Sequence, residues 1–134
     1  MFMMNTKNLL ELAGAVILNS YDEVLLIHRN SSERVQWEIP GGKIEKDESA
    51  RSAAIRELKE ELDVDISISK YLGCNNSLED DLLLKYHLFL ASIVSGSPRL
   101  LENKFDKIDY FSKSELKNMD DLSANMKMLV KKIK

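Results

Sequence analysis

Three glutamates, Glu57, Glu60 and Glu61, stand at positions i, i+3 and i+4 of a segment rich in helix-forming residues. A helix advances about 100° per residue, so this spacing places the three side chains on one face, where their carboxylates can converge. Like charges at this spacing destabilise an isolated helix by roughly 0.2–0.5 kcal/mol per pair. A divalent cation reverses that penalty, and carboxylate oxygens favour Mg²⁺, Mn²⁺ or Ca²⁺ over zinc.

The sequence before these acids decides between two interpretations of them. On its own, such a run is typical of a solvated helix face on which Arg56 and Lys59 offset the acids. Upstream, however, the stretch from Pro40 to Gly42 predicts a tight bend, whose glycines can adopt positive φ or let a ligand approach the backbone. Glu48 adds an acid between the bend and the helix. Together these features favour a metal site for a phosphorylated ligand.

The segment from Trp37 to Val64 reads WEIPGGKIEKDESARSAAIRELKEELDV, and it resembles the signature of the Nudix hydrolase family. That signature requires Gly, five residues, Glu, seven residues, Arg-Glu, an apolar residue, any residue, Glu-Glu, any residue, Gly and an apolar residue. The matching positions are Gly42, Glu48, Arg56, Glu57, Leu58, Glu60, Glu61 and Val64. Asp63 stands where the family has glycine, at a helix end that usually needs a left-handed residue, a conformation that Asp tolerates.

The resemblance implies an α/β fold, the α/β/α sandwich of that family with a mixed β-sheet. It also implies a site for Mg²⁺, with Mn²⁺ as an alternative. The metal ligands that it implies are Glu57, Glu60, Glu61 and the backbone carbonyl of Gly41. Glu48 and Arg56 complete the predicted catalytic set as residues that brace the loop against the helix, and Arg56 can also pair with Glu60 at i+4.

The reaction that the resemblance implies is attack of water on a phosphorus atom of a diphosphate bridge. Metal ions would neutralise phosphate oxygens, lower the pKa of bound water and align nucleophile and leaving group. The acceptor of the water proton stays open, because Glu60, Glu61 or an acid in the loop before the last predicted strand could serve. In that loop Lys104 and Lys107 fall where related sequences often carry acids. The acids available there instead are Glu102 and Asp106.

Substrate choice is encoded less tightly than the metal site. The string WEIPGGKIE resembles MutT-type nucleoside triphosphate pyrophosphohydrolases, which include enzymes that remove oxidised guanine nucleotides. Asn125 lies where those enzymes use an asparagine to recognise the purine, although an asparagine near a helix start could equally be a cap. Arg29 resembles a nucleotide-contacting arginine of that group, although a plain surface arginine would look the same. Lys43, directly after the bend, completes the predicted nucleotide-binding residues.

These features predict an enzyme that hydrolyses a nucleoside triphosphate to a monophosphate and pyrophosphate, with oxidised purines such as 8-oxo-dGTP among the candidate substrates. A hydrolase of ADP-ribose, nucleotide sugars or dinucleoside polyphosphates is the alternative within the family. A non-catalytic module that senses a nucleotide is the alternative outside enzymes. Three converging acids argue against the sensor, because pure binding has no need of them.

Several other residues receive structural interpretations. His28 and His87 have no partner at motif spacing and are expected to be structural. Trp37 is expected to pack beneath the proline-glycine loop rather than to stack on a base. The acidic stretch 79–81 predicts a solvated hairpin tip rather than metal ligands. Cys74 is the only cysteine and is expected to lie buried in a strand.

Strands and helices must position these groups. Apolar, β-branched runs at 10–18 and 24–27 predict two strands that are joined by a turn. Further strands are predicted at 66–74, 82–92 and 108–111, and the run at 82–92 is apolar enough to be central in a sheet.

The helical signals are fewer. A helix capped by Ser49 is predicted to end near Leu62. Ile55, Leu58 and Leu62 lie on a different stripe from the three acids, so the helix can bury its leucines against the sheet. A capping-box pattern at 112–115 predicts a short helix, and apolar spacing over 122–133 predicts an amphipathic one. The basic face of that last helix is expected to be solvated rather than to bind membrane or nucleic acid.

Length and composition limit the class of protein. The chain has 134 residues, of which 44% are hydrophobic and 31% charged, so one domain over 1–134 is expected. A net charge of -3 does not attract a nucleic acid polymer, so the expected partner is a small nucleotide, helped by a bound cation. The apolar run at the N-terminus is too short for a signal peptide or a membrane span, and a cytoplasmic location is expected. Both a monomer and a homodimer are compatible with the sequence.

Overall fold

The computed structural model describes residues 8–79 and 81–132. Its strands are β1 (Asn8–Ile17), β2 (Val24–Asn30), β3 (Val35–Glu38), β4 (Gly41–Lys43), β5 (Asp65–Glu79), β6 (Leu82–Ser95) and β7 (Phe105–Phe111). Its helices are α1 (Ala50–Leu62), α2 (Lys113–Lys117) and α3 (Ala124–Lys132). The N-terminal apolar run, Asp80 of the acidic stretch and the end of the predicted C-terminal stripe lie outside the described residues. None of the helices in the described ranges is long and apolar enough to cross a membrane.

The strands form two sheets, one with the order β4-β1-β6-β5 and the other with the order β3-β2-β7. Strands β1 and β6 run parallel, with Asn8 opposite Leu82 and Ile17 opposite Ala91. The other pairings within the two sheets are antiparallel. This arrangement confirms the predicted mixed β-sheet.

Helices cover the sheets on two sides, and strand β2 contributes buried side chains to both of these sides. Its side chains alternate between faces. Leu25 and Ile27 are fully buried in a cluster with Leu58 of α1. Leu26, between them, is fully buried in a second cluster with Met126 of α3. The predicted α/β/α sandwich is therefore confirmed.

The strands expected from apolar runs are all present, and β2, β5, β6 and β7 are longer than predicted. The sequence pattern does not predict β3 and β4. Each is short and is fixed by partners distant in the chain, since Trp37 pairs with His28 and Gly42 pairs with Ala13. Short strands of this kind carry little signal of their own because strand preference depends on context.

Helix α1 begins and ends where the sequence predicts. The Ser49 side chain accepts a hydrogen bond from the Ser52 backbone N–H at 3.1 Å, which makes Ser49 the N-cap. At the other end Asp63 adopts φ 58° and ψ 41°, and its N–H donates to the Lys59 carbonyl at 3.0 Å. Asp63 therefore takes the left-handed conformation that glycine usually supplies.

The burial of α1 confirms one expectation, and that of Cys74 contradicts another. Leu58 and Leu62 are buried as predicted, together with Ala53 and Ala54, whereas Ile55 is 36% exposed. The buried face of α1 is centred near Ala54 and Glu61, which leaves Ile55 at its edge. Cys74 is half-buried rather than buried, because it lies on β5, an edge strand of its sheet.

Candidate active site

The bend between β3 and β4 brings the glycine backbone against helix α1. A β-carbon at Gly42 would overlap the Glu57 carboxylate, and one at Gly41 would overlap the backbone of Ala13. Neither glycine has a positive φ, so close packing, not backbone conformation, requires glycine here. The Gly41 N–H donates to Glu61 Oε1 at 2.8 Å, which ties the bend directly to the acids.

Arg56 joins the loop before α1 to two of the three acids. Its Nε and Nη2 donate to the two oxygens of Glu48 at 2.8 and 2.9 Å. Its Nη1 donates to Glu57 at 3.0 Å and to Glu60 at 2.9 Å, and Nη2 also donates to the Lys43 carbonyl at 2.9 Å. The hydrogen bonds from Arg56 are the main reason why the pKa of Glu48 falls to about 2. The expected contact between loop and helix is therefore present.

The three acids lie on one side of α1 but differ in exposure. Glu61 is 3% exposed, whereas the side chains of Glu57 and Glu60 are 14% and 52% exposed. The reason is angular, because Glu61 projects from the middle of the buried face, Glu57 lies nearer its edge and Glu60 lies outside it. The site thus has one buried carboxylate, one at the wall and one at the rim.

Burial makes the Glu61 carboxyl hard to ionise. Loss of water is the largest cause that raises its pKa to about 9, and the negative charges of Glu57 and Glu102 act in the same direction. The Gly41 N–H and Lys104 oppose the shift without cancelling it. The pKa of Glu57 is also raised, again chiefly by burial.

Glu102 joins this acidic group from the loop before β7. It lines the same cavity as Glu57 and Glu61, and its charge raises the pKa of both. Its Oε1 is buried and, among the described residues, has no hydrogen-bond partner, with Lys104 Nζ 3.8 Å away. Of the two acids proposed for this loop, Glu102 is the one at the site.

These groups line a cavity of about 600 Å³. Its wall includes all three acids of α1, the glycine bend and Glu102. It also includes each residue that the sequence assigns to nucleotide binding, namely Arg29, Lys43 and Asn125. The structure therefore brings the predicted metal-binding and nucleotide-binding residues to one cavity.

A divalent cation at this cavity would need several oxygen donors around it. Within residues 8–79 and 81–132, no three His, Cys, Asp or Glu side chains stand close enough to hold one ion. The available donors are nevertheless all oxygens, and they include buried carboxylates and the unpartnered Glu102 Oε1. This excess of buried negative charge fits a hard cation. The assignment of Glu57, Glu60, Glu61 and the Gly41 carbonyl as ligands stays a prediction.

Arg29 and Lys43 both lie on the cavity wall, but Arg29 is held through its side chain and Lys43 through its backbone. Arg29 is not a plain surface residue, because its Nε and Nη2 donate to the Glu38 carboxylate at 2.6 and 3.1 Å. Its guanidinium also lies 4.9 Å from the centre of the Phe105 ring. Lys43 is fixed through its carbonyl, which accepts from Arg56. Their contact with a nucleotide stays a prediction.

Asn125 is not the cap of its helix. The cap is Ser123, whose Oγ accepts from the Met126 N–H at 3.2 Å. Asn125 Oδ1 instead accepts a hydrogen bond from the Asn75 side chain at 3.0 Å. The capping interpretation is therefore wrong, and the side chain of Asn125 remains at the cavity.

Residues 10–132 match the family model described as the NUDIX domain. The chain belongs to the Nudix family. It is 35% identical over 111 residues to mRNA-decapping enzyme subunit 2 of Saccharomyces cerevisiae, which covers 78% of this chain and 11% of that protein. It is 32% identical over 92 residues to CTP pyrophosphohydrolase of Escherichia coli, which covers 67% of this chain and 68% of that protein. The match therefore spans only about a tenth of the length of the yeast relative.

The fold of this Nudix chain also resembles solved structures. The MutT protein from Methanosarcina mazei Go1 superposes with a TM-score of 0.86 at 23% identity, which covers 96% of this chain and 95% of that one. At this identity the likeness shows the fold alone.

Other residues outside the Nudix signature have structural roles. His28 is buried, and its Nδ1 lies 2.7 Å from Asp106 Oδ1, a partner that sequence spacing does not reveal. Asp106 therefore contacts β2 through His28 and does not line the cavity. This excludes Asp106 as the acid of the loop that could accept the water proton. Trp37 packs against the rings of His28 and Phe111, which confirms its structural interpretation with different neighbours.

The remaining predictions concern β5 and β6. His87 lies between the Tyr71 hydroxyl, 2.9 Å away, and Glu11 Oε1, 3.5 Å away, so both histidines contact neighbours on adjacent strands. Of the acidic stretch, Glu79 ends β5, and Asp81, with φ 64°, is exposed just before β6.

Sequence reasoning missed two polar residues of the cavity region. Glu38 holds Arg29, and its side chain also accepts from Gln36 Nε2 at 2.7 Å. Asn75 holds Asn125. The position of Glu38, next to the signature bend, could have suggested it, whereas nothing in the sequence joins Asn75 to Asn125.

Proposed function

We propose that this Nudix protein hydrolyses a nucleoside triphosphate with the help of Mg²⁺, releasing a nucleoside monophosphate and pyrophosphate, with oxidised purines such as 8-oxo-dGTP among its substrates. One observation carries the proposal: the acids of α1 and Asn125 line the same cavity. A nucleotide needs both, because its phosphates require a cation and its base requires directional hydrogen bonds. The cavity volume of about 600 Å³ lies within the range of roughly 300–1,000 Å³ that is usual for small-molecule sites.

The metal assignment rests on the charge of the acid-lined wall. We assign the cation to Glu57, Glu60, Glu61 and the Gly41 carbonyl, with Mn²⁺ as an alternative to Mg²⁺. Mg²⁺ commonly takes one or two carboxylates together with water and substrate phosphate oxygens, so a complete cage of protein ligands is not required. When bound, it would neutralise phosphate oxygens and lower the pKa of water.

Glu48 and Arg56 act by positioning. Arg56 contacts Glu57 and Glu60 while Glu48 holds the other side of the same guanidinium. Fixing both acids against the loop reduces the rearrangement that a bound cation would otherwise demand.

Glu102 is the residue to which we assign the proton of the attacking water. The water oxygen bonds to phosphorus, the bridging P–O bond breaks, and pyrophosphate leaves with its electron pair while the proton passes to Glu102. The reason for this choice is availability. Glu102 Oε1 has no hydrogen-bond partner within the described ranges, whereas Glu60 is held by Arg56 and Glu61 by Gly41.

Two basic side chains support binding of the phosphates. The chain as a whole has a net charge of -3, so attraction of a triphosphate must be local. Lys43 and Arg29 both line the cavity, and the pairing of Arg29 with Glu38 keeps that guanidinium at the wall. Asn125 would contact the base.

The relatives support the reaction class and widen the test. The Escherichia coli relative is a CTP pyrophosphohydrolase, which is the proposed class of reaction. The yeast relative is a subunit of an mRNA-decapping enzyme, so a capped RNA belongs among the substrates to be compared.

The decisive experiment is product analysis with Mg²⁺ in water enriched in ¹⁸O. The panel contains the common nucleoside triphosphates, 8-oxo-dGTP, ADP-ribose, a nucleotide sugar, a dinucleoside polyphosphate and a capped RNA. We expect monophosphate and pyrophosphate from at least one triphosphate, no product after chelation of the metal, and ¹⁸O in one product only, which identifies the phosphorus attacked.

The other outcomes distinguish the alternatives. Efficient cleavage of ADP-ribose, a nucleotide sugar, a dinucleoside polyphosphate or capped RNA without cleavage of any triphosphate would replace the proposed substrate. Nucleotide binding without turnover on the whole panel would establish the sensor instead.

A further inference from the structure

A chain of hydrogen bonds between helix α3 and strand β5 reaches the cavity. Lys132 Nζ donates to Asn75 Oδ1 at 2.7 Å, and Asn75 Nδ2 donates to Asn125 Oδ1 at 3.0 Å. Asn75 lies on β5 and is only 5% exposed. Asn125 and Lys132 are seven positions apart on α3, close to two full turns, so they face Asn75 from the same side of the helix.

The chemistry of lysine fixes the direction of this chain. A lysine ammonium has three donors and no acceptor, so Asn75 must turn its oxygen toward Lys132. Its amino group then remains for Asn125, which must accept with its own oxygen. The direction therefore follows from the balance of donors and acceptors alone.

The consequence appears at the cavity wall. Asn125 lines the cavity with its Oδ1 already occupied by Asn75. Among the described residues its Nδ2 has no hydrogen-bond partner. This Nδ2 is not buried, so it is accessible to a ligand. Asn125 thus offers the cavity a donor and not an acceptor.

We propose that Asn75, oriented by Lys132, is a positioning residue that locks the Asn125 amide with its amino group toward the substrate, so that the cavity selects a purine that carries a hydrogen-bond acceptor at its six-position. This inference rests on the proposed function, since it takes Asn125 to contact the base. A purine with a carbonyl at its six-position satisfies the donor, whereas an amino group at that position leaves two donors facing each other.

Inosine triphosphate and ATP provide a matched pair for the test, because they differ only along that edge. Asn75→Asp supplies oxygens that accept from both Lys132 and Asn125, so Asn125 must turn over and present its oxygen instead. We expect the ratio of kcat/KM for inosine triphosphate over ATP to fall at least about tenfold. Asn76→Asp, the same change at the exposed neighbouring position, is expected to leave the ratio unchanged.

A second pair of variants guards against misfolding of Asn75→Asp. Lys132→Met removes the donor that sets the direction, so both amides can turn together, and the preference should weaken but not reverse. Lys131→Met, exposed on the same helix, is the control. Calorimetric binding of inosine and adenosine monophosphates in the presence of a chelator provides a readout that requires no turnover.

The outcomes separate this inference from the proposed reaction. If triphosphates are cleaved but neither Asn75→Asp nor Lys132→Met moves the ratio beyond its control, the inference fails and the reaction stands. If no triphosphate is cleaved but the variants shift monophosphate binding as expected, the inference stands and the reaction fails. A wild-type protein that neither binds nor cleaves any of these nucleotides overturns both.

Discussion

The two ends of the cavity are held together in different ways. We call the group of Glu57, Glu60, Glu61, Arg56 and Glu48 the acid end. Its side-chain contacts join residues no more than 13 positions apart, apart from the bond between Glu61 and Gly41, which are 20 apart. The base end is the group of Asn125, Asn75 and Lys132, whose contacts span 50 and 57 positions. Local spacing therefore encodes the acid end, whereas only the tertiary fold assembles the base end.

The two ends also differ in charge and hence in the effects expected from changing them. The acid end contains charged side chains and would act on phosphates, which every nucleotide has. The base end contains two neutral amides and a lysine, and it would act on the part in which nucleotides differ. Changes at the acid end should lower turnover of all substrates equally, while changes at the base end should alter only their ratio.

The sharpest test of this contrast is Glu61→Gln. Glutamine keeps an oxygen for the Gly41 N–H and nearly the same shape, but it cannot ionise, whereas a bound cation would favour the ionised form of Glu61. We expect kcat/KM to fall by at least about 100-fold on every substrate of the panel, because a metal ligand affects a step common to all. Steady-state rates with and without Mg²⁺ check this.

A matched control and a binding readout accompany this variant. Asp109→Asn makes the equivalent change at an exposed position outside the cavity and should keep full activity. Mg²⁺ should raise the Tm of the wild type and much less that of Glu61→Gln, since a ligand stabilises only the state that binds it. Loss of activity on one substrate alone would break the comparison, because the acid end would then be reading the substrate.

Arg56→Lys tests whether the acid end depends on geometry as well as charge. Lysine keeps the positive charge but cannot reproduce the planar guanidinium that contacts Glu48, Glu57, Glu60 and the Lys43 carbonyl together. We expect kcat to fall about tenfold on all substrates while the ratio between bases is kept. Rates on two bases check both statements.

The control for this change lies on the same helix. Arg51→Lys alters an exposed arginine in the first turn of α1 and should leave the rates unchanged. If Arg56→Lys were as active as Arg51→Lys, the hydrogen bonds of Arg56 would not contribute to turnover. Arg56 would then have no positioning role.

The same contrast explains how much could be predicted from the sequence. Helix α1, its Ser49 cap and the left-handed Asp63 follow from residue types within one segment, and the structure confirms all three. Strands with long apolar runs are predictable for the same reason. The short strands β3 and β4 are not, because their partners lie elsewhere in the chain.

Partnerships across the fold escape the sequence altogether. Nothing in the sequence joins His28 to Asp106, 78 positions away, or Asn75 to Asn125. Even within α1 the pattern has limits, since Ile55 lies on the stripe of Leu58 and Leu62 but is 36% exposed, whereas the smaller Ala53 and Ala54 are buried. Shape complementarity with another element decides such cases, and a single segment does not contain it.

The smallest effect is expected at Asp63, the one position of the acid-end segment that departs from the Nudix signature. Its carboxylate lies 3.1 Å from Arg99 Nε and 3.5 Å from Lys59 Nζ, both exposed contacts, and its φ of 58° is one that glycine adopts freely. Asp63→Gly exchanges weak ion pairs for relief of the backbone, so Tm should change little and kcat not at all. Thermal unfolding and rates on one good substrate check this.

Two further variants at the same position separate backbone from charge. Asp63→Asn keeps a residue that tolerates the left-handed conformation but removes the charge, and its Tm should stay close to that of Asp63→Gly. Asp63→Ala lacks both advantages and should unfold at the lowest temperature of the series. If Asn and Gly both fell to the level of Ala, the ion pairs with Arg99 and Lys59 would outweigh the backbone. The end of α1 would then depend on a contact 36 positions away, like the base end, and the segment would not be locally encoded throughout.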